Sequence, residues 1–177
     1  MEPRTTREVS IPAASLLGLQ RAIRDETGPL AAVQALNAAG YRTGEEVVEH
    51  LLPSAAGGPG QVAADAFWRS LREHFHVRGW GTLEHRPIHP AIGLLTSPDW
   101  AEAEGEGESH PACAFSSGLL AAVLSRAAGG SVAVLETECR ARGDQRCSFA
   151  FGSEEAVQIL HAELLDGREL TRALDAL

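Results

Sequence analysis

Through the first half of the chain, apolar residues recur every three or four positions, the period of a helix with one buried face. Residues 13–24 carry Leu16, Leu17, Leu19 and Ile23 in this way. Residues 29–39 repeat the pattern behind a proline, which suits a first helical turn, and Gly40 is read as the stop. A third helix is expected over residues 47–52, with Thr43 as N-cap and Glu46 as its capping-box partner. Residues 53–60 are rich in Pro, Gly and Ala and read as a loop. Residues 62–76 make a fourth helix, with Phe67, Leu71 and Phe75 stacked on one face.

The period then changes. Gly79-Trp80-Gly81 ends the helical pattern, and residues 83–88 and 93–96 read as strands. Asp99-Trp100 suggests a short helix start, and an acidic run covers residues 102–108. Residues 113–128 form a strongly apolar helix, with Phe115, Leu119, Val123 and Leu124 facing inward and Gly129-Gly130 ending it. Residues 132–135 and 147–151 are the clearest strands, joined as a hairpin by an Arg/Gly loop, and Ser153 caps a closing helix that reaches about residue 165. Helices first and a meander-like sheet afterwards predict an α+β fold. The expected organisation is a loose N-terminus (1–12), one domain (13–166), and a C-terminal tail or short helix (167–177).

Composition narrows the partners. A chain of 177 residues with 44% hydrophobic residues can build one sizeable core. Its net charge of −9 argues against nucleic acid, which needs a basic face. No apolar run approaches the ~20 residues of a membrane span. Three cysteines cannot pair off, and no signal peptide precedes Ser10, so a cytoplasmic setting is expected.

All three cysteines stand in the C-terminal half: Cys113, Cys139 and Cys147, with Glu136 three positions before Cys139. A zinc ion takes four tetrahedral donors, so three thiolates and a carboxylate would complete a closed, structural site. Residues three apart on a strand face opposite ways, so Glu136 and Cys139 can share an ion only if the strand bends or bulges between them. Gly143 allows the chain to turn back and return Cys147 beside Cys139. Arg140, Arg142 and Arg146 could offset the excess negative charge. The competing reading makes the cysteines small buried hydrophobes and Glu136 a solvated strand residue.

The Glu-x-x-Cys-x7-Cys run, with Cys113 upstream, resembles the zinc site of the 4-vinyl reductase domain family. It is similar above all to the sensor domains of bacterial phenol-responsive transcription activators. Ala39-Gly40-Tyr41-Arg42-Thr43-Gly44, Gly79-Trp80-Gly81 and Gly143-Asp144 agree, and the resemblance spans roughly residues 16–165. It implies zinc on Cys113, Glu136, Cys139 and Cys147. It also implies the fold of the TRAPP vesicle-tethering subunits: a four-stranded antiparallel sheet packed with helices, often a homodimer through the N-terminal helices. An apolar pocket beside the zinc lobe would hold a small hydrophobic or aromatic ligand. Trp100 is the counterpart of the sensors' ligand-binding tryptophan, and Trp80, Phe115 and His85 are the further expected ligand contacts. No histidine falls at the sensor position, so phenol specificity does not carry over.

Leu177 ends the chain without room for the ATPase and DNA-binding domains of the activators, so a binding domain that acts without its own effector is expected. No dinucleotide fingerprint is present, and Gly105-Glu106-Gly107 lies in the acidic run, so an enzyme is not the favoured reading. His74, His76, His85 and His89 around Trp80 read as surface or loop histidines rather than a second metal site. Ser116-Ser117 reads as helix-start polarity rather than a nucleophile. The alternatives are a dimeric protein-interaction scaffold and an accessory protein in tetrapyrrole biosynthesis.

Overall fold

The computed structural model describes residues 8–51, 64–104 and 111–177. The 53–60 loop, the start of the fourth expected helix and the Gly105-Glu106-Gly107 stretch lie outside those residues. Helices α1 (Ala13–Thr27), α2 (Pro29–Leu51) and α3 (Ala64–Val77) come first. Strands β1 (Glu84–His89) and β2 (Ile92–Ser97) follow, then a 3-10 turn at Ala101–Ala103 and helix α4 (Ala114–Ala128). Strands β3 (Ala133–Glu138) and β4 (Cys147–Gly152) flank a second 3-10 turn, Arg140–Arg142, and α5 (Glu154–Leu165) and α6 (Leu170–Ala173) close the chain.

The α+β class and the antiparallel four-stranded sheet stand as expected, but the sheet is not a meander. Its order is β1-β2-β4-β3. After β2 the chain crosses through α4 to place β3 at the far edge, and β4 returns between them. The sheet separates two apolar layers. His85, Leu95, Phe149 and Glu136 line up in register across one face. That face carries the main core, with Phe67, Leu71 and Phe75 of α3 and Leu119, Leu120, Val123 and Leu124 of α4. Leu94, Ala150 and Leu135 line up on the other, where Leu160 and Ala173 of α5 and α6 cover them.

Two of the expected helices are one. The chain runs as a single α2 through Gly40, and Thr43 bonds back to the Ala39 carbonyl instead of capping a new helix. The buried positions Ala32, Leu36, Gly40, Gly44 and Val48 recur at every fourth residue and face α4. A methyl group at Gly40 would overlap the Phe115 carbonyl, and one at Gly44 the Leu119 carbonyl. In return, one at Gly118 would overlap the Asn37 carbonyl. These glycines bring two helix backbones into contact; neither Gly40 nor Gly44 ends a helix.

The smaller expectations fare well. Gly129 ends α4 in the left-handed region at φ 69°, and the Ser153 hydroxyl accepts from Ala156 N to cap α5. Of the four α4 residues expected to face inward, Leu119, Val123 and Leu124 are buried and Phe115 is half-buried. Residues 8–12 have no regular structure, yet Glu8 is paired at 2.8 Å with Arg78, in the turn just after α3.

Candidate metal centre and the network beside it

Cys113 is the N-cap residue of helix α4, and its side chain makes no capping bond. The free N–H groups of its first turn find their acceptors elsewhere in the fold. Ala112 N donates to Cys139 Sγ at 3.4 Å and Cys113 N to Glu136 Oε2 at 2.8 Å. Phe115 N and Ser116 N donate to Glu102, at 3.0 and 2.8 Å.

The hairpin supplies the other side of the site. The β3–β4 register shifts between Glu136 and Glu138, the irregularity that the Glu136/Cys139 spacing demanded. Beyond it the loop is tied to itself. Arg142 N and Asp144 N donate to the Cys139 carbonyl, and Asp144 Oδ2 accepts from Cys139 N at 2.7 Å. Gly143 makes the turn at φ 101°, a conformation that favours glycine. Cys147 then opens β4.

The result is a cluster of four buried side chains, Cys113, Glu136, Cys139 and Cys147, with every donor atom within 4.8 Å of the others. Cys113 Sγ and Cys147 Sγ are 3.9 Å apart. A tetrahedral ion with metal–sulfur bonds of about 2.3 Å holds its sulfurs about 3.8 Å apart. Glu136 Oε1 is buried without a hydrogen-bond partner. An orphaned carboxylate oxygen facing three thiols is what a bound cation would satisfy. The donor set therefore fits a divalent metal.

Among themselves the four groups share protons unequally. Cys139 is held well below the ordinary thiol range, chiefly by the Cys113 thiol and then by that of Cys147. Cys113 is pushed up by its contact with Cys139 first. Burial drives Glu136 up to about 9, with the Cys139 charge adding to it. For Cys147, contact with Cys113 favours the thiolate, but contact with Cys139 and burial win and raise it to about 12. Of the three loop arginines, Arg142 braces Asp144 at 2.7 Å and reaches the Thr137 carbonyl, while Arg146 pairs with Glu138.

Beside the cluster lies an aromatic nest. Trp100 is fully buried, and its ring meets Phe75, Trp80 and Phe149 at centroid distances of 5.3, 5.7 and 6.0 Å. Phe115 lies parallel to Trp80 at 5.9 Å. The structure thus gathers Trp80, Trp100 and Phe115 and leaves His85 apart, stacked on Trp68 at 3.8 Å. The other histidines do not assemble. His74 is buried on α3 and lowered to about 4 by desolvation, His76 is exposed, and His89 accepts from Ala91 N. Among the described residues, the cysteine–glutamate set is the one metal-capable group.

Sequence reasoning missed Glu102, which it placed in an acidic run. Glu102 is fully buried. It accepts from Gln20 Nε2 at 2.7 Å, from Phe115 N and Ser116 N, and from the Ser116 hydroxyl. Ser116 Oγ in turn accepts from Trp100 Nε1 at 2.7 Å. Burial raises the Glu102 carboxyl to about 7 against the pull of these bonds, with Ser116 the largest opposing contributor. The adjacent Ser117 donates to the Cys113 carbonyl, an ordinary helix-start role. Nothing local in the sequence marks Glu102, because its donors come from α1 and α4.

Residues 99–153, which hold Trp100 and all four candidate metal donors, match the model of the V4R domain. The fold is similar to the phenol-responsive sensory domain of the transcription activator PoxR, solved with phenol. That match has 17% identity and a TM-score of 0.74, over 94% of this chain and 84% of that one. It is also similar to a vinyl-4-reductase family protein from Methanocaldococcus jannaschii, at 18% identity and TM-score 0.56, over 82% of this chain and 83% of that one. A trafficking protein particle complex subunit 3 from Naegleria fowleri, covalently bound to palmitic acid, matches at 12% identity and TM-score 0.59, over 79% of this chain and 91% of that one. No curated protein matches the chain. The resemblance read from the ligand spacing is borne out, and at these identities the structural likeness establishes a shared fold.

Proposed function

We propose that this chain is a zinc-stapled domain that binds a small hydrophobic or aromatic molecule, as a sensor or carrier. The observation that carries the reading is the buried four-donor cluster at the start of α4, one turn from an aromatic nest. Three sulfurs and one carboxylate leave no position open for water, so the zinc is structural. Its chemistry here is to fix β3, β4 and α4 to one another. Trp80, Trp100 and Phe115 would line the ligand site, and the V4R match with the likeness to a phenol-responsive sensory domain supports a ligand of that kind. His85, engaged with Trp68, is left out of the site.

A homodimer through α1 and α2 belongs to the same reading. Leu19, Leu30, Val33 and Tyr41 stand exposed along these helices, an apolar surface suited to a second copy. No helix among the described residues is long and apolar enough to cross a membrane. The interaction-scaffold alternative draws on the same helices and on the complete burial of Trp100.

The test has two arms. Elemental analysis of the purified protein is expected to return stoichiometric zinc. Titration with a panel of aromatics and tetrapyrroles is expected to give heat or a thermal shift with at least one. Zinc-free protein with all its thiols freely reactive would sink the first arm, and silence across the panel would sink the second.

A further inference from the structure

Glycine draws α2 and α4 into backbone contact at Gly40 and Gly44, and the contact does not continue past them. The next buried position on α2 is Val48, whose side chain keeps the two backbones apart. There a groove of about 630 Å³ lies between the helices and reaches the Gly129-Gly130 turn that ends α4. Its floor is aliphatic, with Val48 and Ala122 both buried. Its α2 rim is the ridge Tyr41, Glu45 and Glu49, spaced four apart so that all three lie on one face. Its α4 rim carries Arg126. All four rim side chains are exposed.

The charges on these rims are unmatched. Among the described residues, neither glutamate forms a side-chain hydrogen bond or an ion pair, and Arg126 does not reach across to them. The carbonyl end of α4 adds partial negative charge at the Gly129-Gly130 end. An apolar floor between charged rims is the layout of a protein-binding groove. A small molecule fits poorly, because its site must cover most of its surface and these rims stand open to water. A helix fits: the ridge from Tyr41 to Glu49 spans about 12 Å, a little over two turns.

We propose that this groove docks a charge-sided helix of a partner protein. Arginines three or four apart on one edge of that helix pair with Glu45 and Glu49, and a guanidinium lies over Tyr41. Small aliphatic residues meet Val48 and Ala122. Acidic residues on the opposite edge meet Arg126, which repels a helix that is basic on both edges and so fixes the orientation. The net charge of −9 speeds the encounter with a basic edge. Tyr41 also belongs to the exposed α1–α2 surface, so a second copy of this chain is the rival occupant.

Labelled helical peptides of about 15 residues test the zinc-loaded full chain by fluorescence anisotropy. The first carries arginines on one edge, glutamates on the other, and alanine and leucine between them. The second is a scramble of the same composition and net charge, and the third carries arginines on both edges. The first is expected to bind about tenfold tighter than the scramble, and tighter than the third despite the third's larger positive charge. Glu45→Lys combined with Glu49→Lys is expected to abolish the preference over the scramble, and Arg126→Glu to reverse the order of the first and third peptides. The three side chains bond to nothing in the described fold, so both variants are expected to keep the wild-type Tm. Equal binding of the first peptide and its scramble, or a preference unchanged in the double variant, overturns the proposal. A subunit count that changes in the double variant, read by sedimentation, gives the groove to a second copy and overturns the partner helix.

Discussion

At its first turn α4 is held by carboxylates and thiols; along its middle it is held by the absence of side chains. The first region places two buried acids, Glu136 and Glu102, against backbone N–H groups within four residues of one another. The second brings α2 and α4 together through Gly40, Gly44 and Gly118, with carbonyl groups filling the space a methyl would need. A polar junction responds to metal, protons and competing donors. A close-packed one responds to volume alone. On the proposed reading, ligand and metal chemistry belong at the first, and the second supplies the rigid frame they work against.

Metal removal should separate the regions most sharply. Bound zinc stabilises the folded state in proportion to its affinity, about 4 kcal/mol at a thousandfold excess over Kd. For a chain of this size that corresponds to a fall in Tm of about 10 °C on chelation. Exchange protection should be lost first in β3, β4 and the start of α4, while the α2–α4 crossing keeps its own. Cys147→Ser is expected to reproduce the loss without chelator. Uniform loss of protection along α4 would show that its two ends are not independent.

A single methyl group probes the crossing. Gly118→Ala drives a Cβ into the Asn37 carbonyl, where both partners are helix backbone and neither can rotate away. Overpacking of this kind costs about 3 kcal/mol, read as a lower denaturant midpoint at unchanged slope. Gly18→Ala on α1 is the control, since nothing lies within 4 Å of the added group. It should be neutral or stabilising by up to about 1 kcal/mol through helix propensity. Equal effects at the two sites would remove close approach as the reason for glycine at 118.

The sequence made one region legible and misread the other, for a physical reason. Glu136, Cys139 and Cys147 lie within a dozen residues, and one ion needs their donors on one side, so the bulge in β3 could be deduced before it was seen. Gly40 and Gly44 carry no such constraint. Read locally, Gly40 looks like a stop and Gly44 follows what looks like an N-cap at Thr43, because what fixes the role of both glycines is the carbonyl groups of Phe115 and Leu119 some seventy-five residues later. Glu102 was hidden in the same way: an acid in an acidic run looks solvated until α4 delivers its first-turn donors. The strands, α3 and the capped α5 were legible because period and turn residues suffice for them. The crossover order of the sheet was not, since pairing between β2 and β4 leaves no mark on either alone.

The smallest of these effects is a pH dependence that belongs to the polar junction alone. Burial raises the Glu102 carboxyl from its ordinary 4.5 to about 7. The folded state therefore holds this proton more tightly than the unfolded chain. Its stabilising contribution is full below about pH 4.5 and is lost as pH rises through about 7. Glu102→Gln cannot titrate. With zinc saturating, wild-type stability relative to the variant should decline by about 2–3 kcal/mol across that window and then level off. His74, lowered to about 4 by burial, acts in the opposite direction, since its contribution is lost as pH falls. It is common to both proteins and cancels in the difference. Parallel stability curves for the two proteins from acid to neutral pH would mean that Glu102 ionises at its ordinary value inside the fold. Its four donors would then offset its burial, and this part of the junction would be as indifferent to protons as the glycine crossing.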